Sequence, residues 1–356
     1  MSTLDTTSPV MVTGATGYVA GWLVKKLLEE GFTVHAAVRD PANKNKVQHL
    51  DAIAQTAPGT IRYFKADLLD NGSYAEAMAG CGVVFHTASP FIVEFSDPQT
   101  ELVDPAKLGT RNVLEQANQT PSVERVVLTS SCAAIYGDNV DQEQTPEGVF
   151  TEEVWNTSSN LQHNPYAYSK TVAEKEAWAI NEGQQRWQLV VINPSLVVGP
   201  GLNPHATSAS FDLVRQLGDG TMKAGVPHWG MGAVDVRDLA EAHFRAAFNP
   251  DAKGRHIVSA HNTSFQAMAA TLLDTYGNSY PLPRRTLPKW LLWLVGPLAN
   301  KAFTRPLIAR NVGYDWTADN RKSLRDLDMQ YRSLSESMHD MFQQLIDSGQ
   351  LKPAKK

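Results

Sequence analysis

A strand, a glycine-bearing turn and a helix follow one another at the start of the chain, and no other feature narrows the fold as far. Pro9 to Thr13 predicts the strand, Thr13-Gly14-Ala15-Thr16-Gly17-Tyr18-Val19-Ala20 the turn, and Tyr18 to Glu30 a helix stopped at Gly31. Gly14 permits a tight reversal, Gly17 lets backbone approach a pyrophosphate, and Ala20 is small enough for the helix to lie on a sheet. The helix start offers free N–H groups and the positive end of its dipole to phosphate. Gly14, Thr16, Gly17, Tyr18 and Val19 are therefore candidate dinucleotide contacts. The spacing G-x-x-G-x-x-A differs from the commoner G-x-G-x-x-G, and glycines alone make only a turn; the strand–turn–helix context argues for a phosphate site.

Strand-length apolar runs continue to alternate with helical segments. Strands are predicted at Phe32 to Val38, Thr60 to Phe64, Gly82 to His86, Arg125 to Thr129 and Gln188 to Asn193, with helices at Tyr74 to Ala79, Val103 to Gln119 and Tyr166 to Asn181. This succession calls for an α/β fold, a Rossmann-type doubly wound parallel sheet. After Pro194 the alternation fades into a turn-rich stretch, Val198 to Asn203. A helix at Asp235 to Phe248 and a strand at His256 to Ser259 follow, and then mostly helix. The 356 residues are expected to divide into a dinucleotide-binding domain, 1–200 with 233–262, and a smaller, discontinuous, mostly helical substrate domain, 201–232 with 263–356.

Composition excludes other classes. A formal charge of −5 lacks the basic footprint of a nucleic-acid binder, so no nucleic-acid partner is expected. Cys81 and Cys132 have neither disulfide-framework nor metal-ligand spacing, so no metal is expected. Met1 to Ser8 shows no basic-then-apolar leader, and the expected location is cytoplasmic. The apolar run Trp290 to Leu298 is too short to span a bilayer and is interrupted by Gly296-Pro297. It is read as a buried helix, with an interfacial patch flanked by Arg284, Arg285, Lys289, Lys301 and Arg305 as the alternative. Membrane contact is not expected, and the chain is expected as a monomer or homodimer.

The end of the second strand discriminates between dinucleotides. An acid there suits the ribose hydroxyls of NAD, whereas Arg or Lys suits a 2′-phosphate. The chain reads Ala37-Val38-Arg39-Asp40-Pro41, with Lys44 and Lys46 beyond. Arg39 can stack on adenine and pair with the phosphate, and Lys46 adds a second charge. Asp40 is the competing signal. The balance favours NADPH (NADP+) over NAD(H).

Tyr166 and Lys170 stand four apart at the head of a helix, so phenol and ammonium share one face. A fixed positive charge there favours phenolate and is expected to lower the tyrosine pKa, as suits a proton donor. Tyr168, two residues from Lys170, falls off that face. Val126 to Ser131 is an apolar strand ending in Thr129, Ser130 and Ser131, at the carboxyl edge where such sheets bind ligands. Hydroxyls there can hold a carbonyl oxygen as charge develops on it.

With these motifs in order the chain resembles an extended short-chain dehydrogenase/reductase, and within that superfamily the dihydroflavonol reductase, cinnamoyl-CoA reductase and aldehyde/ketone reductase group. The stretches carrying the resemblance are VTGATGYVAGWLVKKLLEEG, AAVRDP, KADLLD, GVVFHTASP, DPAKLGTRNVLEQA, RVVLTSS, PYAYSKTVAEKEAW, INPSLVVGPG and VDVRDLAEAH. The resemblance implies that Ser131 orients a substrate carbonyl, Tyr166 donates the proton, and Lys170 holds the nicotinamide ribose. It also implies that Asp67 and Leu68 flank the adenine, that Thr87, Ala88, Ser89 and Thr129 line the dinucleotide path, and that Pro194 and Val197 hold the nicotinamide end. The implied reaction is hydride transfer from NADPH to a carbonyl carbon.

One position departs from the pattern. Flavonoid-reducing members carry an Asn shortly after the serine, where this chain has Tyr136, so an apolar aldehyde or ketone is expected in place of dihydroflavonol. Pro90, Phe91, Tyr136, Leu202, Phe211 and Trp229 are the expected pocket contributors. Alternatives are an NAD-retaining nucleotide-sugar epimerase or dehydratase, a 3β-hydroxysteroid-type dehydrogenase, and a dinucleotide-binding sensor on the same fold. Cys132 and Ala133 beside Ser131 argue against dehydratases, whose acids stand there. The presence of both Tyr166 and Lys170 argues against a sensor.

Overall fold

Val10–Thr13 (β1) is buried along its length and feeds two cores from alternate positions. Val10 and Val12 face one cluster, Met11 the other, as the two-residue period of a strand requires. The computed structural model describes residues 7–90, 96–203, 208–299 and 303–353. The next five strands are β2 (Thr33–Val38), β3 (Thr60–Lys65), β4 (Val83–His86), β5 (Arg125–Thr129) and β6 (Gln188–Pro194). They are followed by β7 (Leu196–Val198), β8 (Val226–Pro227), β9 (Gly230–Asp235), β10 (Gly254–Val258), β11 (His261–Ser264) and β12 (Thr286–Leu287).

Seven strands form one parallel sheet in the order β10-β6-β5-β4-β1-β2-β3. The chain reverses direction across the sheet between β1 and β4, which opens a crevice at their carboxyl ends. Helices Tyr18–Glu29 and Val236–Phe248 cover one face, and Asp104–Gln119 and Pro165–Glu182 the other. With both faces buried, the inner strands β1 and β4 and most of β5 and β6 read as near-continuous apolar runs, whereas edge strand β3 is partly exposed.

A second core lies beyond the sheet's carboxyl edge. Strand β9 pairs parallel with β7 and antiparallel with β11, and this small sheet is packed by helices Ala209–Gly218, Phe265–Tyr276 and Leu334–Asp347. Segment 233–262 consequently serves both parts: β10 completes the large sheet, whereas 233–235 and 261–262 belong to the small one.

Several features depart from the sequence reading, three of them instructive. Lys44–Ala54 is a helix that buries only Val47 and Leu50, too sparse an apolar stripe to register as one. Strand β9, Gly-Met-Gly-Ala-Val-Asp, opens with glycines and shows no alternation. The apolar run does form a helix, Lys289–Ala299, but it is not buried: only Leu292 and Gly296 face inward. Periodicity could not reveal this, because apolar residues stand on every side of that helix.

Candidate active site

The turn after β1 is held in a conformation that only glycine adopts at ease. Gly14 has φ +62°, and a Cβ there would meet the Ala88 Cβ at 3.0 Å. Its N–H donates to the Ala37 carbonyl at 2.9 Å, tying the turn to the end of β2. Thr16 and Gly17 sit at the surface end of the turn, and the first N–H groups of helix Tyr18–Glu29, those of Tyr18 and Val19 included, have no acceptor within the helix.

Thr13 locks the ends of β1 and β4 together. Its hydroxyl accepts from the N–H of Thr87 at 3.1 Å and of Ala88 at 3.0 Å, and donates to Nδ1 of buried His86 at 3.0 Å. The Thr87 hydroxyl donates back to the Thr13 carbonyl. Burial, with Lys170 as a lesser influence, pushes His86 down to about 3, so it is neutral and fit to accept.

Arg39 stands exposed just past β2 and forms no ion pair among the described residues. Asp40 turns its carboxylate onto its own loop, accepting the Ala42 N–H at 3.0 Å, and so is engaged away from Arg39. Lys46 is exposed on helix Lys44–Ala54. Asp67 likewise caps a turn, accepting the Leu69 N–H at 2.9 Å, while Leu68 packs against Gly109. Leu68, Ala88, Ser89, Pro90, Thr129 and Lys170 line one recess. The Thr129 hydroxyl is directed to Nε2 of His243 at 2.7 Å. Since Nδ1 of that ring must donate to the Leu239 carbonyl, Nε2 accepts and Thr129 donates.

Three side chains converge above the carboxyl ends of β4 and β5. Asn164 caps the helix that carries Tyr166 and Lys170, accepting the Ala167 N–H at 3.4 Å and donating to the Gly137 carbonyl at 2.8 Å; Pro165 begins the first turn. Ser131 follows β5 with its hydroxyl accepting the Ala133 N–H at 3.1 Å and hydrogen-bonded to Tyr166. The Lys170 ammonium lies 5.9 Å from the Tyr166 ring centroid and donates to Ser89 Oγ at 2.9 Å.

The electrostatics correct one expectation. Burial pushes the Tyr166 phenol up, opposed only by the Ser131 hydrogen bond. Lys170, whose pKa burial lowers to about 8 with Glu174 partly offsetting, is not among the groups that draw the phenol down in this state.

Glu174, one turn beyond Lys170, was not anticipated. It is buried and accepts from Ser130 Oγ, from Asn193 Nδ2 at 2.8 Å and from Arg255 Nε at 2.6 Å. Asn193 also donates to the Ser131 carbonyl at 3.1 Å. Arg255 further donates to the carbonyls of Glu152 at 2.9 Å and Val154 at 2.6 Å and covers the Trp155 ring at 3.9 Å. The network holds the serine loop from beneath. The sequence signal was available in Glu174 falling four residues after Lys170, but its partner lies 81 residues away.

The expected substrate contributors disperse. Tyr136 stacks on Phe150 with ring centroids 4.8 Å apart and meets Trp316 at 5.7 Å. Pro90 borders the recess, and Leu202 lies against Gly21. Trp229 packs between Phe265 and Phe303. Phe91 lies outside the described residues. Phe211 is a correction: only 4% exposed, it meets Tyr18 edge-on at 5.1 Å within the second core. The Tyr18 phenol donates to the Gly199 carbonyl at 2.6 Å, so that side chain also serves the junction between the two cores. Pro194 ends β6 beside Val258, and half-buried Val197 pairs with Val234 in the small sheet.

Residues 10–260 match the family described as NAD dependent epimerase/dehydratase family. Among curated proteins the chain is 39% identical over 288 residues to a cinnamoyl-CoA reductase of Medicago truncatula, covering 80% of this chain and 86% of the relative. It is 34% identical over 344 residues to tetraketide alpha-pyrone reductase 1 of Arabidopsis thaliana, covering 96% of both. Among solved structures, yeast methylglyoxal/isovaleraldehyde reductase Gre2 complexed with NADPH superimposes with a TM-score of 0.77 at 28% identity, over 96% of this chain and all of that one.

Proposed function

The chain belongs to the NAD dependent epimerase/dehydratase family, as an extended short-chain dehydrogenase/reductase, and from that premise we propose that it is an NADPH-dependent reductase of apolar aldehydes or ketones. The observation that carries the reading is the Ser131–Tyr166 hydrogen bond with the Lys170 ammonium beside it, at the edge of the sheet where the glycine turn also opens. The residues present suit the dinucleotide: Gly14 leaves room against Ala88, and Arg39 is unpaired among the described residues while Asp40 is occupied by its own turn. Gly14, Thr16, Gly17, Tyr18 and Val19 would take the pyrophosphate through backbone, Arg39 and Lys46 the 2′-phosphate. Asp67 and Leu68 would flank the adenine. Thr87, Ala88, Ser89, Thr129, Pro194 and Val197 would line the path to the nicotinamide. When bound, NADPH supplies the hydride.

The chain's own residues handle the oxygen. Ser131 Oγ and Tyr166 Oη, already hydrogen-bonded, together receive a carbonyl oxygen between them and polarise it. Burial keeps the Tyr166 phenol protonated at neutral pH, so the proton is in place when the oxygen becomes strongly basic. The Lys170 ammonium, charged below about pH 8, then stabilises the phenolate left behind. Residues 201–232 and 263–356 are assigned the choice of substrate through their shared core, to which helix Lys289–Ala299 does not belong. The reading is tested by following NADPH absorbance with a panel of aldehydes and ketones. Tyr166→Phe is expected to abolish turnover and retain NADPH binding; turnover at the parent rate would refute the assignment.

A further inference from the structure

Helix Lys289–Ala299 turns its apolar side outward. Trp290 is 65% exposed, Leu294 51% and Leu298 88%, with Trp293 and Val295 also exposed. Among the described residues these five are the majority of the exposed large hydrophobics, and Trp290, Trp293, Leu294 and Leu298 share one side at helical spacing. Inward-facing Leu292 and Gly296 fasten the helix to Ile308, so the outward side chains are spare to the fold. An apolar surface of this kind marks a contact site.

The surrounding charge indicates what covers it. Residues 275–314 contain no Asp or Glu and six basic residues, Arg284, Arg285, Lys289, Lys301, Arg305 and Arg310, in a chain whose overall charge is −5. Arg310 is neutralised by Asp138 and Asp141. Arg284, Arg285, Lys289 and Arg305 form no ion pair among the described residues; Arg305 instead lies over the Trp293 ring at 4.4 Å, at the rim of the patch. A second copy meeting this face through a two-fold axis would set the same unpaired cations against one another. The helix, at about 1.5 Å per residue, is also far shorter than a bilayer core, and no described helix is long and apolar enough to cross one. Tryptophan and leucine on the outer side of a helix, with arginine and lysine flanking it in sequence and Arg305 at its rim, is the chemistry of a helix lying in a headgroup layer.

We propose that the exposed face of helix Lys289–Ala299 docks the protein on an anionic lipid surface, with Trp290, Trp293, Leu294 and Leu298 entering the headgroup–acyl boundary and Arg284, Arg285, Lys289 and Arg305 meeting lipid phosphate. The test is co-sedimentation of the full chain with phosphatidylcholine vesicles and with vesicles containing about 30% phosphatidylserine, together with tryptophan emission. Binding to the anionic vesicles is expected to be at least ~10-fold stronger, to weaken with salt, and to shift the emission to the blue. Trp290→Glu with Leu298→Glu, both on exposed positions, is expected to abolish binding; Arg284→Gln with Arg285→Gln is expected to reduce it severalfold. Turnover without vesicles is expected to be unchanged in both variants. Failure to bind anionic vesicles, equal binding to phosphatidylcholine alone, or binding unaffected by either pair of substitutions overturns the proposal. So does a concentration-dependent dimer that Trp290→Glu dissociates, in a protein that ignores vesicles.

Discussion

Replacing Lys170 by methionine is expected to stabilise the ligand-free protein at neutral pH while removing its reductase activity. The ammonium sits half-buried under the recess, and folding lowers its pKa from 10.5 to about 8. At about 1.4 kcal/mol per tenfold, that difference makes holding the charge in the folded state cost ~3 kcal/mol. Methionine avoids this cost and fills a similar volume, but forfeits the hydrogen bond to Ser89, worth ~1 kcal/mol. The expected net gain is ~2 kcal/mol. Its pH dependence follows from which state binds the proton more tightly. Below about pH 8 both folded and unfolded parent chains carry the charged lysine, and the full cost is present. Between about pH 8 and pH 10.5 the unfolded chain holds more protons, so parent stability climbs with pH and the variant's advantage shrinks. Urea unfolding of both proteins at about pH 7 and pH 10, without dinucleotide, measures this directly. A variant no more stable than the parent at pH 7, or an advantage that does not diminish with rising pH, would refute the reasoning.

Arg39→Ala is expected to raise KM for NADPH by ~10- to 100-fold, the loss of a charge-assisted hydrogen bond, and to leave NADH kinetics nearly unchanged; equal effects on both would remove Arg39 from the 2′-phosphate. Gly14→Ala is expected to cost ~1–2 kcal/mol for the left-handed backbone alone and to weaken NADPH binding through the 3.0 Å contact with Ala88, read by unfolding and by fluorescence titration. Arg255→Met would leave the Glu174 carboxylate buried without its cation and is expected to cost about 3–5 kcal/mol in urea unfolding. A loss below ~1 kcal/mol would show that Ser130 and Asn193 suffice to hold that carboxylate.

What the sequence revealed was local. The glycine turn, the Tyr166–Lys170 pair and the hydroxyl-ended strand at Ser131 each occupy a few consecutive residues, and the physics linking their types to their spacing acts over one turn or one strand end. Their convergence also followed from the parallel sheet, because carboxyl ends of neighbouring strands must lie side by side. The Glu174–Arg255 pair was hidden because it depends on β10 lying beside β6, a register that no short pattern encodes. Phe211 was misplaced because the helix Ala209–Gly218 that carries it was not foreseen, and the Trp290 helix because an apolar residue in a helix reveals hydrophobicity, not which side faces water. Phe211 is sealed against Tyr18, whereas Trp290 is left outside.

The seam at residues 199–201 has a consequence for anyone who would redesign this molecule. Tyr18 and Trp22, on the helix that follows the glycine turn, donate to the carbonyls of Gly199 and Pro200 at 2.6 and 2.8 Å. Gln344, on the C-terminal helix, grips both backbone groups of Gly201 at 2.7 and 2.6 Å. The later segments are therefore not a cassette to be exchanged at a convenient loop. A chimera that imports a relative's C-terminal half must bring 199–201 and a Gln344 equivalent as a unit, and must match them to Tyr18 and Trp22 of the recipient, or the graft will splay at the helix that follows the glycine turn.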